Sequence, residues 1–139
     1  MSEVVSVRLS DQVAQRLRER AAADDEAVSG LAQRLVDEGL RMEAHPSIIF
    51  RPGPSGRRAA LMRGPDVWEV IGLLRSLDTN GEAAIVEAAR WLGLTEAQVR
   101  AALGYYGAFP DEIDTRIATN QAAAEQAQRE WEIQQRLLS

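Results

Sequence analysis

The sequence predicts a mainly α fold. One N-terminal strand precedes two short helices, then a small helix-turn-helix domain with a short β-hairpin, then a C-terminal helical tail. Three observations predict this. VVSVRLS, residues 4–10, alternates apolar and polar positions, the period of a strand with one buried face. Most of the rest repeats apolar residues every three or four positions, the period of a helix. Proline and glycine cluster between His45 and Asp66, where they punctuate short extended segments.

Length and charge narrow the class. A chain of 139 residues suits one ordinary domain or two very small ones with a tail. Without cysteine there are no disulfides and no thiolate metal sites, and a cytoplasmic location is the expectation. No apolar run approaches a bilayer span, and no signal pattern opens the chain, so no membrane partner is expected. All 16 basic residues are arginine, and the net charge is -5. That charge argues against broad, nonspecific binding to nucleic acid. It is unevenly spread, however: residues 45–76 carry five arginines against two acids, and residues 77–139 five against ten.

In the strand, Val5, Val7 and Leu9 alternate with Val4, Ser6, Arg8 and Ser10. Ser10 and Asp11 form a good helix start, because a hydroxyl accepts from orphan amides and an acid suits the positive helix end. The first helix is predicted over about Asp11 to Ala23, with Val13, Leu17 and Ala21 on one face. After Asp24-Asp25-Glu26, a second helix over about Val28 to Met42 places Leu31, Leu35, Val36 and Leu40 on its buried side. Residues 1–43 are too few to bury an adequate core alone. A homodimer through the N-terminal strand solves this: two strands pair antiparallel while four helices close over their apolar faces. The other face of such a ribbon is free, and a two-stranded ribbon fits the major groove of DNA.

Residues 3–42 resemble the ribbon-helix-helix family of MetJ, Arc and CopG-type repressors and antitoxins. The resemblance implies an intermolecular β-ribbon whose outward residues Val4, Ser6 and Arg8 face base edges. It also implies that Ser29 and Gly30, opening the second helix, hold a phosphate on free amides. The chain has Ala27 where the family has a serine cap and Asp25 where it has a loop glycine. Aspartate tolerates the left-handed conformation, so the turn is expected to survive. A dimerisation module that does not bind DNA is the alternative use of these residues.

The second domain is predicted over residues 44–109. Ser47 to Phe50 and Arg57 to Met62 read as two strands around a Pro-Gly-Pro-Ser-Gly loop. Asp66 with Glu69 has capping-box spacing, and the helix that follows turns Val67, Val70, Ile71 and Leu74 inward. In EAAIVEAARWLGLTEAQVRAALGYY, Ala89, Gly93 and Val99 have helix-turn-helix spacing: a small residue for close approach, a glycine for the left-handed turn, a valine as anchor. Thr95 with Gln98 is a second capping box. The second helix exposes Glu96, Ala97 and Arg100, a thin reading head, so a structural or partner-binding role is the alternative to a second DNA contact through Arg57, Arg58, Arg63 and Arg100. His45, the single histidine, is a poor metal or catalytic candidate. No paired acids suggest an enzyme, and no catalytic residue, metal or cofactor is expected.

HPSI, the hairpin, PDVWEVIGLL, GLTEAQVRAALGYY and DEID, in that order, look like the helix-turn-helix domains of the domain-of-unknown-function family 433. Here RPGPSGRRAALMRGPDV replaces that family's glycine-rich stretch. With the first unit, the resemblance is to VapB-like antitoxins, which implies a PIN-like ribonuclease toxin as partner. Residues 110–139 form the predicted partner-binding tail. The stripe Ile113, Ile117, Asn120, Ala124, Ala127, Trp131, Gln134, Leu138 alternates spacings of four and three. With so few large apolar residues, this helix is expected not to pack tightly on its own domain but to take order on a partner, the alternative being a terminal helix packed on the second domain. Ile117, Trp131, Leu137 and Leu138 are the candidate toxin anchors, and Arg129 and Arg136 the candidates to reach its acidic metal site. The function expected is an antitoxin that neutralises such a ribonuclease and represses its own operon at a DNA operator. A stand-alone transcriptional regulator with no toxin partner is the alternative.

Overall fold

The computed structural model describes residues 1–139. It is mainly helical, with one two-stranded antiparallel sheet. The chain divides into two compact units, Met1–Glu43 and Ala44–Ser139.

In the first unit, residues 1–10 make no β ladder, and every side chain among them is exposed. The first unit holds no second strand for this segment. Helix α1 (Asp11–Ala23) starts where Ser10 accepts from the Val13 amide at 3.3 Å, the cap expected from Ser-Asp. It ends at a turn in which Asp25 has φ +50°, the one non-glycine residue with positive φ. Aspartate holds the place that glycine would suit, and the turn survives. Helix α2 (Val28–Ala44) follows. Only Ala21 and Leu31 are buried apolar residues here; Leu35, Val36 and Leu40, expected on a buried side, are exposed. Two helices alone leave much of their apolar surface uncovered.

The second unit is built around one core. Strands β1 (Ile48–Arg51) and β2 (Arg58–Leu61) pair antiparallel, with Ile48 opposite Leu61 and Arg51 opposite Arg58. β1 is shifted one residue toward the C-terminus at the expected length, and β2 is one residue shorter than expected at each end. Helices α3 (Val67–Ser76), α4 (Gly81–Leu92), α5 (Glu96–Ala108) and α6 (Pro110–Leu138) follow. The core holds Ile48, Leu61, Val67, Val70, Ile71, Ile85, Ala88, Val99, Tyr105, Ile113 and Ile117. Between α4 and α5 the turn forms as the spacing predicts. Gly93 has φ +65°, Ala89 and Val99 are buried, and Thr95 and Gln98 bond reciprocally at 2.9 and 3.1 Å.

Two expectations are corrected. Asp66 is the N-cap of α3 by backbone, but its side chain makes no cap bond and Glu69 completes no capping box. The Asp66 carboxylate is buried and occupied elsewhere: it accepts from the Arg58 guanidinium and from Trp68 Nε1 at 3.2 Å. The second concerns the tail. Its first two turns do pack on the domain, on α3 and α5, and bury Ile113 and Ile117. Polar clamps reinforce this seat. Arg75 on α3 and Tyr106 on α5 both donate to Asp114, Tyr105 donates to Glu112 at 2.6 Å, and Arg116 reaches the Ser55 hydroxyl at 2.6 Å. From Ala118 to the C-terminus α6 is exposed on all sides.

Candidate nucleic-acid and partner interfaces

Three surfaces gather the candidate residues. The first is the N-terminal segment with α1 and α2. Val4, Ser6 and Arg8 are exposed, and so are Val5, Val7 and Leu9 on the alternate side. Below Leu9 lies an open apolar depression of about 450 Å³, lined by Val13, Leu17, Ala32, Leu35, Val36 and the stems of Arg16 and Arg20. Val36 and Leu40 are 62% and 63% exposed at its side. Apolar chains in such numbers on one face of so small a unit mark a surface made to be covered.

Ser29 and Gly30 are exposed on the first turn of α2. Ala27 offers no side-chain cap to these amides, which carry the positive end of the helix dipole. The acids before them are partly neutralised within the unit. Glu26 pairs with Arg34 at 3.2 Å and Asp24 with Arg20 at 2.9 Å, which leaves Asp25 as the acid without an ion pair.

The second surface comprises the arginines of the hairpin and of α5, three of which are engaged by other groups of the same unit. Arg58 belongs to the fold, because its guanidinium holds buried Asp66 and the Pro52 carbonyl at 3.0 Å. Its side chain stays 30% exposed while these bonds hold it. Arg57 is half-buried and donates to the Phe50 carbonyl at 3.4 Å. Arg100 is exposed but paired with Glu82 across the α4–α5 turn. Arg63 is exposed beside Met62 on the loop after β2. His45 stacks edge-on against Tyr105 at 5.4 Å, a packing role.

Two carboxylates of the second unit are shifted by their surroundings. Glu69 titrates above its ordinary range because burial disfavours its charge and Asp66 repels it, with Arg58 and Arg51 opposing. Asp114 titrates below its ordinary range because Arg75 and then Tyr106 bond its charged form.

The third surface is the outer part of α6. Ile117, expected among the toxin anchors, is 6% exposed and lies in the core of its own unit, so it is not available to a partner. Trp131, Leu137 and Leu138 are exposed, with Leu137 at 86%. Arg129 bonds Gln126 at 2.7 Å, and Arg136 is exposed one turn from the end. Ile133, which the stripe of fours and threes passes over, is exposed as well. It sits two residues from Trp131 and so on another face of the helix, which is the signal that spacing along a single stripe misses.

No helix is long and apolar enough to cross a membrane. No protein-family model, curated protein or solved structure matches the chain.

Proposed function

We propose that the chain is a dimeric DNA-binding antitoxin. The first unit pairs its N-terminal strand with that of a second copy to read an operator, and the outer half of α6 occupies a PIN-like ribonuclease. The observation that carries the DNA-binding half is the uncovered apolar surface of residues 1–43: Val5, Val7, Leu9, Leu35, Val36 and Leu40 all lie open, and residues 1–10 make no β ladder. One partner satisfies both needs if it is the same segment and the same helices from another copy. In that pairing Val4, Ser6 and Arg8 share the outer face of the ribbon, where Arg8 can bond bidentately to guanine. The amides at Ser29 and Gly30 flank it as a phosphate contact.

The shape of α6 supports the partner half. At about 100° per residue, Trp131 and Leu138 lie on one edge of an arc and Ile133 and Leu137 on the other, roughly 130° apart. Ala123, Ala127, Glu130 and Gln134 lie between them, and Gln121, Glu125, Gln128, Glu132 and Arg136 lie opposite. An apolar arc wider than the roughly 100° stripe of a surface helix suits a groove with two walls. Glu130 near the middle of the arc calls for a donor on the groove floor, and Arg129 and Arg136 lie outside the arc, where they can meet acids beyond the groove edge.

Removing residues 121–139 tests both halves, because all of these residues are exposed and the core residues Ile113 and Ile117 remain. The truncated chain is expected to bind the DNA upstream of its own reading frame as the full chain does, and to lose inhibition of a ribonuclease encoded beside it. Loss of DNA binding or assembly in the truncated chain would favour the stand-alone regulator. Arg8→Ala is expected to weaken operator binding by about 1 to 3 kcal/mol. No change would remove the ribbon from DNA recognition.

A further inference from the structure

The outer face of α4 belongs to neither interface above. It carries Ala83, Val86, Glu87, Arg90 and Trp91, which with Thr79 line a shallow depression of about 510 Å³. Trp91 is 71% exposed and Val86 41%, so the largest side chain of the helix lies on solvent. Arg90 makes no ion pair with Glu87, one turn before it; Glu87 accepts from the Thr79 hydroxyl instead. Unpaired charge and uncovered indole share one face.

We infer that this face is a second self-association surface, whose occupant is α4 of another copy packed antiparallel across a twofold axis. The sequence of the face is its own complement in that geometry. With the axis at the level between Ala88 and Ala89, Glu87 stands opposite Arg90 of the second copy, and this pairing occurs twice by symmetry, as an isologous contact requires. Trp91 and Val86 lie on the two flanks of the face, where each meets the same residue of the second copy. Two reciprocal ion pairs thus form the seam between flanking apolar contacts, and no like charges oppose each other. An unrelated partner has no reason to match a pattern that already matches itself. Together with N-terminal pairing, a second twofold contact links dimers into tetramers or longer arrays, the form in which repressors on adjacent operator sites bind cooperatively.

Sedimentation of the full chain over a concentration series tests the contact. Glu87→Arg places arginine opposite arginine and is expected to halve the assembly mass, and Glu87→Arg combined with Arg90→Glu is expected to restore it. Trp91→Ala, at an exposed position, is expected to lower the mass as well while helix content stays the same. Unchanged mass in Glu87→Arg and in Trp91→Ala, or no restoration in the double exchange, overturns the proposal. Val36→Glu separates this contact from N-terminal pairing: the α4 contact predicts that this variant still forms a dimer, and a monomer at all concentrations contradicts it.

Discussion

At the scale of single residues, Asp66 illustrates how a side chain with an obvious local role takes a tertiary one. Its position before α3, three residues ahead of Glu69, is that of a cap, yet Arg58 and Trp68 claim the carboxylate. Those donors lie close in space rather than in sequence, so spacing along the chain carries no trace of them. Asp66→Ala leaves a guanidinium and an indole N–H without their acceptor, and is expected to cost about 2 kcal/mol in urea unfolding, with an unchanged denaturant slope. Asp114 works at the surface. Its folded-state pKa is depressed by Arg75 and Tyr106, so its contribution is present above the usual carboxylate value of 3.8 and is lost as pH falls through the lowered one. Asp114→Asn is expected to lower the melting temperature at neutral pH. The two melting curves should converge in acid below pH 3.8.

At the scale of elements, local signals located what is local. Ser10 opens α1, Thr95 and Gln98 box the start of α5, and Gly93 takes the left-handed turn, each as its residue type and spacing predict. Gly93→Ala is expected to cost about 1 kcal/mol, because the position has room for a methyl group and only the backbone conformation resists it. Helix α6 was legible in extent and not in role. Its stripe runs unbroken from Ile113 to Leu138, but Ile113 and Ile117 face their own core while Trp131 and Leu138 face solvent. What divides the stripe is how far along α6 the packing on α3 and α5 extends, which spacing within α6 does not encode. Ile133 and Trp91 were missed for a related reason: each is a single large apolar residue off the main periodic face of its helix.

For the whole molecule, the organising fact is that the first unit has apolar surface and backbone to spare, and the second has a closed core with two exposed helix faces, on α4 and on outer α6. Incompleteness of residues 1–43 was legible in the sequence, because a strand, two helices and no second strand cannot make a core. The mate that completes it is a proposal about assembly. Backbone hydrogen exchange at residues 4–10, read across a concentration series, tests it most directly. Pairing of two copies predicts that alternate amides between Val4 and Ser10 are protected at high concentration and lose protection on dilution, and that Val36→Glu abolishes protection at every concentration. Exchange at the rate of a free chain throughout that series would contradict the pairing, and with it the ribbon on which DNA recognition depends.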